Sequence, residues 1–409
     1  MAVSSKWFNF DLTDDQLDIL DWVREFVQKE IRPAAAEWDN KEETPWPLIK
    51  KAADCDLYSL DFYMQLFADP SGRTLSLALE EIFWGDAGIG LALFGTGLAV
   101  SAIIANGTPE QAGQWLPQCF GTKEKPAVAA FCASESGAGS DVSAIRATAR
   151  YNKAKDTWTL NGTKDWITNG GIAGVHVVVA SVDNKLGSRG QASFVIPPNT
   201  PGLSQGTKHK KLGIRASHTA EVVLDNVVVP GNCLLGGKDK LDKRLAKARS
   251  GESSLGEQAA MKTFEASRPL VGAMAVGIAR AALDYAREYA LTRLAFGSPI
   301  ADKQAIAFKL ADMDTEIDAA RLLVHRAAGM ALSGQDMARA EGSKAKLFAS
   351  EVAVRATREA VQILAGAGYV KDHPVERWLR DALIYTIFEG TSEIQRIVIA
   401  RALTGRNVR

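Results

Sequence analysis

The chain has 409 residues, 46% hydrophobic and 23% charged, with 48 basic side chains against 48 acidic ones. These proportions are those of an ordinary globular protein of two or three domains, and they exclude a disordered, collagen-like or disulfide-scaffold chain. A formal net charge of zero leaves no overall field to draw the protein to nucleic acid or an anionic membrane, so a charged substrate must be met locally.

Residues 1–11 carry no signal-peptide or Arg-rich transit pattern, and no apolar run is read as reaching the ~18 residues of a membrane span; the expected location is the cytoplasm. Thr13 and Gln16 form a capping box, and Leu17, Leu20, Val23, Phe26, Val27 and Ile31 recur at helical spacing, which predicts a helix ending at Pro33. Glu80 and Phe83 belong to another helix, residues 90–105 to a buried one, and Thr108, Pro109 and Gln111 open a further one. Between 126 and 230 the period changes to two and β-branched residues take over, with strands expected at 157–160, 175–182, 192–196 and 220–229 and a turn at Asn161-Gly162. Helical texture returns at 269–292, 302–332 and 338–362, long enough for an antiparallel bundle. Between the last strand and the bundle, residues 237–250 carry six basic and two acidic side chains and read as a loop.

The fold class is therefore α+β, mostly α. A helical N-terminal domain (1–125) is followed by a β domain (126–236), a basic insertion loop (237–253) and a helical bundle (254–409). The four cysteines, Cys55, Cys119, Cys132 and Cys233, lie far apart with no C-x-x-C and no histidine at ligand spacing, so neither a disulfide framework nor a metal site is expected.

No G-x-G-x-x-G follows a strand and no phosphate-binding G-x-x-x-x-G-K-[ST] occurs, so a dinucleotide would have to bind in another way. Three clusters carry candidate chemistry. In FCASESGAGSDV (131–142), Gly137 and Gly139 let backbone approach a ligand, and Ser134 and Ser140 offer hydroxyls, although such a loop is also an ordinary surface turn. In DWITNGG (165–171), Trp166 and Thr168 alternate with Ile167 and share one strand face, which suits the edge of a flat heteroaromatic ring; a tryptophan closing a β core reads the same. In FEGTSEIQR (388–396), Glu389 sits on a turn before a helix, where an apolar setting would raise its pKa into the range of a general base; by itself it is one turn glutamate among many.

Together and in this order, the three clusters resemble the acyl-CoA dehydrogenase family across residues 12–403. Further matching stretches are KLGIRASHT (211–219), SRPLVGAMAVGIARAAL (267–283), TRLAFGSPIADKQAI (292–306), QILAGAGY (362–369) and RDALIYTIFEGTSEIQ (380–395). The resemblance implies a central β-barrel-like domain, a C-terminal four-helix bundle, FAD between the two, and a homotetramer. It implies that Phe131, Ala133, Ser134, Gly139, Ser140, Trp166 and Thr168 contact flavin or the thioester's phosphates, with Thr391 and Glu393 near the cofactor. From the neighbouring subunit, Arg293, Phe296, Gln304, Gln362 and Gly366 would reach the diphosphate and adenine end. Ser140, Arg268, Phe388 and Gly390 would line the acyl thioester.

The implied chemistry is α,β-dehydrogenation. Glu389 takes the α-proton, the β-hydride goes to flavin N5, and electrons pass to an electron-transferring flavoprotein. Hydrogen bonds to the thioester carbonyl, one of them from the base's own backbone N–H, stabilise enolate charge. Some family members take their base from the residue before the Arg-Pro pair; here that residue is Ser267, which favours Glu389. Phe94 lies in the helical segment that lines the acyl pocket in this family, where a bulky ring would shorten the cavity, although a core phenylalanine on a helix reads the same. The basic stretch reads as an insertion relative to the family pattern, a mobile, solvated surface loop in the plain reading; in the sharper one Lys238, Lys240, Lys243, Arg244 or Lys247 meets CoA phosphates or an acidic carrier protein. Two rival functions share the fold: a flavoprotein oxidase or monooxygenase, which needs no carboxylate at 389, and a non-catalytic binding protein, which would lose flavin contacts or base.

Overall fold

The computed structural model describes residues 11–251 and 259–408. The N-terminal part is built of eight helices: α1 (Asp14–Phe26), α2 (Arg32–Lys41), α3 (Trp46–Asp54), α4 (Leu60–Ala68), α5 (Arg73–Gly85), α6 (Ala87–Phe94), α7 (Thr96–Asn106) and α8 (Pro109–Phe120). The capping boxes at Thr13/Gln16 and Thr108/Gln111 both form, each side chain meeting the other residue's backbone N–H.

Pro33 does not end the first helix. A π turn, Val27–Ile31, takes up one extra residue, and Pro33 falls in the first turn of α2, where its missing N–H costs no ladder bond. The apolar run expected as one helix over 90–105 is two helices broken at Gly95. A Cβ there would stand 2.6 Å from the Leu91 carbonyl oxygen and 2.8 Å from Thr168 Cγ2, so glycine lets this bend press against the β domain. Contrary to the sequence reading, the stretch Ala87–Asn106 is long and apolar enough to span a membrane by composition, with a mean hydropathy of 2.0 over its window. In this fold 78% of that window is buried in the protein's own core.

The middle of the chain forms a curled seven-stranded sheet: β1 (Ala129–Cys132), β2 (Thr148–Asn152), β3 (Thr157–Thr168), β4 (Val175–Ser181), β5 (Gln191–Ile196), β6 (Leu203–Lys208) and β7 (Thr219–Pro230), in the order β1-β4-β2-β3-β7-β6 with β5 also on β4. β1 runs parallel to β4, while β7 pairs antiparallel with β3 on one side and with β6 on the other. Asn161-Gly162 is not a turn. β3 runs straight through it with a shift of register against β7, because a side chain at 162 would strike Ala147 at 2.7 Å. The hairpin turn lies earlier, where Asn152 Oδ1 accepts from the backbone N–H of Ala154 and Lys155.

The basic stretch is a helix, α9 (Lys238–Ser250), rather than a loop. Leu241, Leu245 and Ala248 recur at helical spacing and are buried, while Arg249 pairs with Asp183 at 2.8 Å and Arg244 donates to the Gln191 carbonyl. The charges lie on the outer side of an amphipathic helix, which is why they dominate its composition.

Three long helices follow: α10 (Ala259–Thr292), α11 (Gln304–Leu332) and α12 (Glu341–Leu364), then α13 (Val375–Ala382) and α14 (Ser392–Thr404). α10 packs on α12, α11 and the N-terminal α5, and α14 packs on α12. A small hairpin, β8 (Leu294–Ala295) and β9 (Ser298–Pro299), joins α10 to α11. Buried ion pairs stitch the helical parts together: Glu80 pairs with Arg280 and Arg321, and Glu81 with Arg280 and Arg24, at 2.8–3.1 Å.

Candidate active site

β1 delivers Phe131 and Cys132 into the sheet, and the chain then leaves it as the 133–142 loop. Ala133 is buried, Ser134 half-buried, and Gly137, Gly139 and Ser140 are exposed, with nothing within 4 Å of where a Cβ on either glycine would stand. The loop is pinned from below by a group that sequence reasoning missed. The Glu135 carboxylate accepts from the N–H of Arg146 at 2.7 Å and of Ala147 at 3.0 Å, and pairs with the fully buried Lys164 at 2.7 Å. Burial works against the Glu135 charge, but Lys164 and the two N–H groups outweigh it and hold the carboxyl below its ordinary range. Lys164 also donates to the Ala133 carbonyl, which fixes the level at which the open loop begins.

At the end of β3 a second register shift, between Lys164 and Ile167, puts Lys164, Asp165 and Ile167 inside and leaves Trp166 outside. Trp166 is 56% exposed at a left-handed φ of 60°, a conformation an aromatic residue adopts only under local compulsion. The compulsion is visible: the buried Asp165 Oδ1 accepts from Trp166 N–H at 2.7 Å and pairs with His209 Nε2 at 2.7 Å, and the His209 ring lies 4.7 Å from the indole. Thr168 is half-buried, with its methyl group against the Gly95 bend, and the register shift and left-handed Trp166 interrupt the simple alternation expected between the two.

The third cluster lies between α10, α12 and α14. Glu389 and Gly390 are consecutive left-handed residues, φ 55° and 88°, the second a conformation that favours glycine. Ser267 on α10 donates to Glu389 Oε2 at 2.7 Å. Burial pushes the Glu389 carboxyl above the ordinary glutamate value of 4.5; the Ser267 hydrogen bond and the charges of Lys346 and Arg268 draw it only part of the way back. Arg268 is buried beside it, and Phe388 is half-buried with its ring edge-on to Tyr385 at 5.3 Å. Thr391 caps α14 by accepting from Ile394 N–H, with Glu393 in the first turn, where a carboxylate is favoured by the helix dipole. Among the described residues, the Glu389 N–H has no acceptor within the chain.

Arg293, Phe296, Gln304, Gln362 and Gly366 are placed elsewhere. Along α10, Arg293 lies about 39 Å from Ser267 at 1.5 Å per residue. Phe296 is 97% exposed on the β8–β9 turn, Gln304 opens α11, and Gln362 and Gly366 sit exposed at the far end of α12. One protomer therefore does not bring this group to Glu389. Sequence reasoning also treated Ser267 only as a missing competitor and passed over Lys346; each meets the Glu389 turn from more than forty residues away, and no local signal marks such a pairing.

The residues fit a flavin nucleotide in kind: an open glycine-serine backbone, an exposed indole and a nearby threonine at the end of β3, and a half-buried carboxylate with a raised pKa. Residues 13–122, 130–227 and 255–404 match the N-terminal, middle and C-terminal domains of acyl-CoA dehydrogenase. The chain is 42% identical over 384 residues to the mitochondrial short-chain specific acyl-CoA dehydrogenase of Bos taurus, covering 92% of this chain and 87% of that one. Its fold matches butyryl-CoA dehydrogenase from Megasphaera elsdenii with a TM-score of 0.85 at 37% identity, over 97% of this chain and 99% of that one. It also matches a glutaryl-CoA dehydrogenase from Mycobacterium smegmatis in complex with FADH2, with a TM-score of 0.84 at 28% identity, over 99% and 100% of the two chains.

Fold and relatives define a flavoprotein oxidoreductase. More narrowly, the chain belongs to the acyl-CoA dehydrogenase family.

Proposed function

We propose that the protein dehydrogenates a short acyl-CoA thioester to the trans-2-enoyl-CoA, with Glu389 as the base and FAD as the cofactor. The observation that carries this reading is the Glu389 carboxylate itself, half-buried, held by Ser267 and raised in pKa, on a turn whose own N–H is left to donate. FAD, when bound, supplies the acceptor for the hydride that leaves the β-carbon. Glu389 Oε accepts the α-proton, and the Glu389 N–H meets the negative charge growing on the thioester oxygen. Arg268, Phe388 and Gly390 line the acyl thioester. Phe131, Ala133, Ser134, Gly139, Ser140, Trp166 and Thr168 hold cofactor and thioester in register, with Thr391 and Glu393 behind the base.

Phe94 supports the short acyl group. It is buried in α6 and stacked on Tyr63 with ring centroids 5.2 Å apart, so an acyl tail entering this helix layer meets aromatic rings rather than open space. A homotetramer is supported by the far end of the bundle, where Leu291, Leu294, Phe296, Phe308 and Tyr369 stand exposed in the same stretches as Arg293, Gln304, Gln362 and Gly366. A neighbouring subunit placed there would complete the cofactor site, and an electron-transferring flavoprotein would take the electrons onward.

The test is Glu389→Gln in a panel of acyl-CoA substrates with an artificial electron acceptor. Wild type is expected to prefer short chains, and the variant to keep its yellow flavin while losing at least ~10³-fold in turnover. Near-normal turnover in the variant would remove Glu389 from the base position.

A further inference from the structure

Lys346, on α12, is an unusual residue to find in a protein interior. Its side chain has no exposure to solvent, and its Nζ lies 2.8 Å from the Gly390 carbonyl oxygen. A buried ammonium is retained only where its hydrogen bonds and neighbouring charges offset the lost hydration. Here it meets the turn that carries the base.

Two left-handed residues in succession aim the Glu389 and Gly390 carbonyls into the protein, where each needs a donor. Gln395 Nε2, fully buried on α14, donates to the Glu389 carbonyl at 3.2 Å and to the Gly390 carbonyl at 2.9 Å, and Lys346 adds the 2.8 Å bond from the opposite side. The turn is thus clamped between α12 and α14 while Ser267 reaches it from α10. The charged groups facing Lys346 are Glu389, Glu351 and Glu393, with Arg268 opposing them; those facing Glu389 are Lys346 and Arg268.

We propose that Lys346 is a positioning residue for the reaction: it clamps the Glu389–Gly390 turn through the Gly390 carbonyl and sets a positive charge beside the base. This rests on Glu389 being the base. The two contributions act together, since the clamp keeps carboxylate and backbone N–H aimed at one substrate, and the charge keeps the carboxylate ionised despite burial. The direction of each group's titration agrees: burial draws the Lys346 ammonium down to about 8 against the pull of Glu389, and Lys346 draws Glu389 down against burial.

The experiment compares flavin-loaded wild type, Lys346→Met, Lys346→Arg and Glu389→Gln. Methionine keeps the unbranched length but removes charge and donor; arginine keeps the charge. The readouts are the acid limb of kcat/KM and the infrared band of the protonated Glu389 carboxyl, isolated as wild type minus Glu389→Gln. Lys346→Met should move both midpoints up by about one pH unit and cut kcat/KM below the midpoint roughly tenfold, with Lys346→Arg staying near wild type. A merely structural lysine would lower the unfolding temperature and leave both midpoints in place, and that result overturns the proposal. If Lys346→Met does not fold, Lys346→Gln, which keeps a donor without charge, is read by the same rule. Should Glu389→Gln keep its turnover, the base assignment itself falls; if Glu389→Gln is inactive and the midpoints do not move, the Lys346 role alone falls.

Discussion

A carboxylate that works as a base inside a protein has to be both deprotonated and basic, and the Glu389 site balances these through neighbours pulling in opposite directions. Burial raises its pKa, so turnover should fall as pH drops through a midpoint above the ordinary glutamate value of 4.5. Ser267→Ala removes a hydrogen bond to the charged form, worth about 1.5–3 kcal/mol. The acid limb of kcat/KM should therefore move up by about one pH unit while the rate at high pH stays close to wild type; an unmoved limb would mean Ser267 contributes only packing. Phe94→Ala should extend activity to longer acyl chains at a stability cost of about 3–5 kcal/mol, and an unchanged substrate profile would dismiss the aromatic stop. At this scale the sequence was informative wherever a motif is local. Glu389 before Gly-Thr-Ser stands on a turn ahead of α14 as its local sequence implies, whereas the alternation of Trp166 and Thr168 is interrupted by a register shift and a left-handed Trp166. Lys346 and Glu135 were illegible because their meaning lies in partners 44 and 29 residues away.

Among the elements, α9 shows what composition conceals. Six basic side chains suggest a solvated loop, yet Leu241, Leu245 and Ala248 at i, i+4 and i+7 describe an amphipathic helix whose apolar side lies on the β domain. Its ties reach further: Arg244 donates to the Gln191 carbonyl, and the Gln191 side chain donates to the Val142 carbonyl at 2.6 Å, at the end of the glycine-serine loop. Leu245→Asp would bury a charge without a partner and should release α9, at a cost of about 3 kcal/mol. Limited proteolysis should then cut within 238–250, and flavin should dissociate more readily because Val142 loses its support; retention of flavin as in wild type after such cutting would show that the tie is idle. The register shifts in β3 were equally hidden in the sequence. They depend on which β7 residue stands opposite, and on Ala147 crowding position 162, neither of which an alternating pattern encodes. Pro33 misled for the converse reason, since a local rule for ending helices gave way to a π turn.

Across the whole molecule, one network of ions joins all three parts of the chain. Asp39 on α2 pairs with Arg380 on α13 at 2.8 Å, Asp86 at the start of α6 pairs with Arg377 at 3.2 Å, and Asp381 accepts from the N–H of Ile214 in the β domain. Asp86 and Asp381 are both buried, and burial first, then the charge of Asp39 on Asp86 and of Asp86 and Asp39 on Asp381, pushes both above the ordinary aspartate value of 3.8. A folded state that keeps a proton the unfolded chain has released loses stability as pH rises from that value through the raised one. The buried histidines act from the other side. His176 Nε2 accepts from the Gly171 N–H at 3.1 Å, so protonation would set donor against donor, and burial draws both His176 and His325 down from 6.5 to about 4. Their contribution is complete above 6.5 and is lost as pH falls toward 4, on the order of 3 kcal/mol for His176. Stability should therefore pass through a maximum at weakly acidic to neutral pH. Asp381→Asn keeps the acceptor for Ile214 without the ionisable group, so relative to wild type its unfolding temperature should gain steadily as pH rises from about 4 to about 8, with the two curves parallel above that. Thermal unfolding of the two flavin-loaded proteins across pH 4–9 decides it: curves parallel from pH 4 to pH 8 would mean that the aspartate pair is already ionised in the folded protein and that the arginines, not a retained proton, hold the three parts together.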